Sequence, residues 1–161
     1  MIWRKANEEF KLKNLKPTTT HGGGSLIVWD CISSKGVGEL IFIDGILDKN
    51  KYLSILKDNL IKSANNMNVR DSFKFYQDND PKHNKSRIVQ EYLLYNCPKI
   101  LHLPLESDLN PIENLWNLLD RNIRIMPTRS KEELKLRLKE EWTRITSDYL
   151  TKIISNTLKR L

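Results

Sequence analysis

The sequence predicts an α/β fold: a mixed β-sheet flanked by helices. Residues 25–33 and 39–44 are rich in β-branched and aromatic side chains and are separated by a short Gly-containing segment, the pattern of a hairpin. Beyond them, two short strand-like runs alternate with helical periodicity, so βαβα units follow the hairpin. The last third of the chain carries helical patterning alone. At 161 residues the chain is long enough for one domain with a sizeable core. With 39% apolar and 29% charged residues it lies in the globular range, away from disordered chains.

Each element has a local cause. Ser25–Ser33 reads as a mostly buried strand, Ser34-Lys-Gly-Val-Gly38 as a turn and Glu39–Asp44 as the second hairpin strand, broken by Gly45. Asp48 can cap a helix whose Tyr52, Leu53, Leu56 and Leu60 follow helical spacing. Phe73–Gln77 is a short strand stopped by Asp78-Asn79-Asp80-Pro81. Ser86 to Tyr95 reads as a helix with Ile88, Tyr92 and Tyr95 on one side, and Lys99–Pro104 as a brief strand. The next helix is the best defined. Asn110 caps it, Pro111 occupies the first position, where a missing N–H costs nothing, and Ile112, Leu115, Trp116 and Leu119 form one stripe. Ser130-x-x-Glu133 is a capping box opening a helix through Leu134, Leu138, Trp142 and Ile145, and a last helix runs from about Asp148 to Leu158.

Composition removes several function classes. No run of 18 apolar residues exists to cross a membrane. The first residues lack the apolar core of a signal peptide. Cys31 and Cys97 share no CxxC spacing, which argues against a disulfide framework or structural zinc. The net charge is +7 and the pI 9.4. Residues 1–120 carry 16 basic and 15 acidic side chains, whereas residues 121–161 carry 11 and 5. The excess thus lies in the C-terminal quarter, where it fits either a polyanion partner or a solvated helical face.

Two acidic residues stand where chemistry is commonly placed. Asp78 directly follows a hydrophobic strand, although Asp78–Pro81 also reads as a plain turn with Asx side chains bonded to the backbone. Glu113 lies three residues after Asn110, so a capping-box partner at the positive end of a helix dipole explains it as well. Gly22-Gly23-Gly24 lacks the G-x-x-x-x-G-K-[ST] pattern and precedes a strand, so it is no phosphate loop. His21, His83 and His102 show no metal-ligand spacing, and only His83, five residues after Asp78, is near a candidate site.

Read together, the motifs closely resemble those of the Tc/mariner transposases. Tyr76-Gln-Asp-Asn-Asp-Pro-Lys-His83 and Ser107-Asp-Leu-Asn-Pro-Ile-Glu-Asn-Leu-Trp116 match the family's paired motifs. The 34 residues between Asp78 and Glu113 are the spacing of its Tc-type branch. His21–Trp29, Gly36-x-Gly38, Phe42–Gly45, Glu140–Trp142 and Lys159–Leu161 also look like that branch, so the resemblance runs over essentially the whole chain. One departure is a missing Pro between Ser107 and Asp108, offset by a one-residue addition earlier in the segment.

The resemblance implies an RNase H-like fold and DNA strand cleavage and strand transfer in cut-and-paste transposition. Three carboxylates, two Asp and one Glu, would hold two divalent ions, Mg²⁺ or Mn²⁺. By motif match Asp78 is the second and Glu113 the third. Asn79, His83 and Asn110 are expected to support them, and Lys82, Arg121 and Arg124 to contact DNA. The family's first Asp lies on a central strand upstream of the segment matching Trp3-Arg4. The expectation is therefore a fold lacking that strand, an incomplete two-ion site and an inactive chain. Asp30 and Asp44 lie on the following strands and are not substitutes. Residues 1–126 are assigned to the partial catalytic domain and 127–161 to a basic helical segment of the same domain. Double-stranded DNA (transposon ends and target) and a homodimer are the expected partners, no membrane is expected, and the nucleus is the expected location. The alternatives are a non-catalytic DNA-binding or dimerisation remnant, or an α/β domain with no nucleic-acid role.

Overall fold

The structure, a computed structural model, describes residues 2–4, 26–77, 86–101, 110–126 and 128–159. Strands β1 (Ile2–Arg4), β2 (Ile27–Ser33), β3 (Gly36–Ile43), β4 (Lys74–Gln77) and β5 (Lys99–Leu101) form one sheet in the order β3-β2-β1-β4-β5. β2 pairs antiparallel with β1 and β3, and β4 pairs parallel with β1 and β5. The described helices are α1 (Lys49–Asn66), α2 (Arg87–Asn96), α3 (Pro111–Ile125), α4 (Lys131–Thr143) and α5 (Ser147–Leu158). The mixed α/β class is as expected.

The expected gap at the centre of the sheet is corrected. Ile2–Arg4 fills the central position, with Trp3 opposite Ile32 on one side and Tyr76 on the other. Two inner edges without partners would leave buried N–H and C=O groups unpaired, at about 1–3 kcal/mol each. A three-residue β1 supplies those partners, and three residues are too few to show a period of two. The hairpin is also tighter than expected. Ser33 pairs with Gly36, so only Ser34 and Lys35 turn and both glycines lie within β3. Gly45 does end the strand, at φ +74.

Alternation along β2 divides the core in two. Leu26, Val28 and Ile32 face α3, α4 and α5, whereas Trp29 and Cys31 face α1 and α2. α1 is capped by Asp48, whose carboxylate accepts from Lys51 N at 2.8 Å. On α2 the buried stripe differs from the expected one: Val89 and Leu93 are buried, Tyr92 is partly so, and Tyr95 is exposed. The set Val89, Tyr92, Leu93 has the i, i+3, i+4 spacing that packs on α1, which leaves Ile88 and Tyr95 outside. Ser130 caps α4, accepting from Glu133 N at 3.1 Å, while Glu133 reaches back to Arg129 N at 2.7 Å.

Leu134, Leu138 and Trp142 of α4 and Leu150, Ile153 and Ile154 of α5 share one core with the α3 stripe. No helix among the described residues is long and apolar enough to cross a membrane.

Candidate functional site

Glu113 stands in the first turn of α3, and the cap and buried stripe of that helix fix its position. Asn110 is buried and its Oδ1 accepts from Ile112 N at 3.2 Å, while its carbonyl accepts from Glu113 N at 3.1 Å. Pro111, Ile112, Leu115, Trp116, Leu119 and Ile123 are buried, so the apolar stripe leaves Glu113 half-exposed at the helix N-terminus. One turn on, Trp116 Nε1 donates to Asp30 Oδ2 at 2.9 Å. Asp30 is 3% exposed on the same face of β2 as Val28 and Ile32, so this bond ties α3 to the sheet. Trp116 also lies 6.4 Å from Trp142, whose Nε1 donates to the Gly38 carbonyl at 2.8 Å.

The end of β4 is held from the other face. The buried Tyr52 of α1 donates its hydroxyl to Gln77 Oε1 at 2.7 Å. Gln77 is the last residue of β4, and in the central pairing it lies opposite Arg4. Asp78, Asn79, Lys82 and His83 lie outside the described residues.

The expected DNA-contacting arginines differ in their surroundings. Arg124 is engaged with Asp120 through two 2.7 Å contacts one turn back. Arg121 is exposed and lines a cleft of about 340 Å³ between α3 and α5, with Asn114, Asn117, Tyr149 and Asn156. Burial raises the Tyr149 phenol above its usual value, against the smaller opposing pull of Arg121. Its hydroxyl donates to the Asn114 carbonyl at 3.4 Å. Elsewhere the basic surplus is partly neutralised, with Arg144 paired to Glu141 at 2.7 Å and Lys135 to Asp44 at 3.6 Å.

Among the described residues no group of three or more His, Cys, Asp or Glu is placed to hold a metal ion. Glu113 has the oxygen donors a hard divalent cation takes. Ile2, Trp3 and Arg4 of the central strand include no carboxylate. The described residues alone therefore do not complete a two-ion set.

The Tc1 transposase of Caenorhabditis elegans is 34% identical over 160 residues, 99% of this chain and 58% of that protein. The Tcb2 transposase of Caenorhabditis briggsae is 34% identical over 144 residues, 89% of this chain and 52% of that protein. The chain is a homologue of the Tc-type transposases. It spans about half the length of the curated relatives it matches. No family model matches it. Among solved structures, the Mos1 mariner transposase catalytic domain superposes with a TM-score of 0.76 at 16% identity, over 98% of this chain and 77% of that one. The same domain with raltegravir and Mn gives 0.77 at 16% identity, over 98% and 78%. The sheet of this Tc-type homologue is thus RNase H-like.

Asp30, Trp116 and Tyr52 were not singled out as site residues from the sequence. A lone carboxylate on the inward face of an apolar strand was the available signal, because a buried charge needs a donor.

Proposed function

We propose that the chain is the catalytic portion of a cut-and-paste DNA transposase, acting on phosphodiester bonds. The observation that carries this reading is Glu113, at the matched motif position of a Tc-type homologue, presented half-exposed by a helix fastened through Asn110 and Trp116. Asp78 and Glu113 would hold a divalent metal. When bound, such an ion supplies the charge that activates the attacking oxygen and steadies the leaving one. The chain's own part is to fix the carriers: Tyr52 restrains the β4 end through Gln77, and Asp30 restrains α3 through Trp116. Double-stranded DNA is the partner, with two copies on two ends by analogy with the paired-end complex of Mos1, and a nuclear location goes with that substrate as part of the same proposal.

Mn²⁺ binding to the full chain tests this, followed by electron paramagnetic resonance. Saturable binding is expected, weakened more than about tenfold by Asp78→Asn and by Glu113→Gln at unchanged melting temperature. Mn²⁺ affinity in both variants equal to that of the unaltered chain would overturn it.

A DNA-binding role without strand cleavage is favoured by one observation, the absence of a carboxylate on the described central strand. Duplex binding with no Mn²⁺-dependent nicking at any protein concentration is its signature.

A further inference from the structure

The cleft between α3 and α5 carries chemistry that the metal-site reading does not use. Its α3 wall presents Asn114, Asn117 and Arg121, and its α5 wall Tyr149, Asn156 and Thr157. None of the described residues lining it is acidic. The nearby carboxylate of Asp120 is bound to Arg124, and among the described residues Arg121 forms no ion pair. Tyr149 and Thr157 spend their hydroxyl protons on the carbonyls of Asn114 and Ile153. The Arg121 guanidinium and the amides of Asn117 and Asn156 remain as exposed donors. A single uncompensated cation among neutral amides is the donor set that receives a phosphate diester.

The size and place of the cleft narrow the ligand. About 340 Å³ is near the lower end of small-ligand pockets, roughly 300–1,000 Å³, which is room enough for a sugar–phosphate unit. Asn117 lies one helical turn from Glu113 on the same side of α3. Arg121 lies one turn further, about 12 Å along the axis from Glu113 at about 1.5 Å per residue. That distance is roughly three to four base-pair steps of a duplex at about 3.4 Å each.

We propose that this cleft is a DNA backbone site, in which Arg121, Asn117 and Asn156 hold one phosphodiester a few nucleotides from the strand position at Glu113. It rests on the proposed function only in taking DNA as the ligand. A phosphate held there sets which bond lies over Glu113, so the cleft fixes the register of the DNA.

Fluorescence anisotropy of the full chain with an arbitrary duplex of about 20 base pairs, over a range of salt concentrations, tests it. Arg121→Gln is expected to reduce the slope of log K against log salt by about 0.9 and to weaken binding roughly fivefold to tenfold at about 0.1 M salt. Asn117→Ala with Asn156→Ala should weaken binding and leave the slope unchanged. All three positions are exposed, so their melting temperatures should equal that of the unaltered chain. Arg87→Gln makes the same charge change on α2, on the other face of the sheet, and should leave the slope as it was. A wild-type slope in Arg121→Gln, or equal losses in Arg121→Gln and Arg87→Gln, would overturn the cleft while leaving DNA as the partner. No duplex binding by the unaltered chain would overturn both readings.

Discussion

Cys97 sits in the core shared by α1 and α2, and burial pushes its thiol up to about 12 against a smaller opposing pull from Arg70. The unfolded chain ionises this group near pH 9, so it releases a proton that the folded chain retains. The contribution is complete below about pH 9 and is lost as pH rises toward about 12. Burial raises Tyr92 and Tyr149 in the same direction. Thermal melts should show a lower midpoint at about pH 10.5 than at about pH 8, and Cys97→Ala should narrow the gap. A higher midpoint at the alkaline pH would contradict this account. Gly38 makes a second residue-scale case. A Cβ there would stand 2.4 Å from Cys31 Sγ and 2.7 Å from Ser63 Cβ. Gly38→Ala should therefore cost roughly 1–3 kcal/mol in denaturant unfolding, and a loss below about 0.5 kcal/mol would show that β3 yields freely. The sequence shows the glycine but suggests a turn, because its reason lies in Ser63 of α1.

At the scale of elements, α3 was readable almost to the residue. Asn110-Pro111 marks its start, and four apolar positions at helical spacing mark its inward face. The bond that anchors it could not be read, because Asp30 and Trp116 are 86 positions apart. Trp116→Phe keeps an aromatic ring in the core while removing the donor to a buried carboxylate and part of the packing volume. It should destabilise the chain by about 1.5–3 kcal/mol, measured by chemical denaturation. If stability is unchanged, Asp30 is held well enough by its other contacts and the tie to α3 is dispensable. On α2 the expected stripe of Ile88, Tyr92 and Tyr95 shares only Tyr92 with the set that packs on α1. Which stripe is buried depends on where α1 lies. Ser130-x-x-Glu133 was legible as a cap, although Glu133 bonds Arg129 N one residue earlier than a regular box requires.

For the molecule as a whole, the central strand is the sensitive point. β1 joins the antiparallel hairpin to the parallel pair β4–β5, so each backbone group in it serves a sheet that is paired on both sides. Trp3→Pro removes a ladder donor there and leaves its acceptor unpaired, which should cost about 1–3 kcal/mol and broaden or split the cooperative denaturation transition. An unaltered single transition would mean that β2 and β4 do not need β1. Short-range physics sufficed for the mixed α/β class and for the caps of α1, α3 and α4. Periods of 2 and 3.6 and capping chemistry are written within a few residues. Four features came only with contacts between distant segments: the filled centre of the sheet, the face of α2 that is buried, the bonds behind Glu113 and Gln77, and the cleft around Arg121. Each depends on which surface of one element meets which surface of another. Local pattern does not encode that choice, because burial and polar satisfaction are settled jointly across the whole chain.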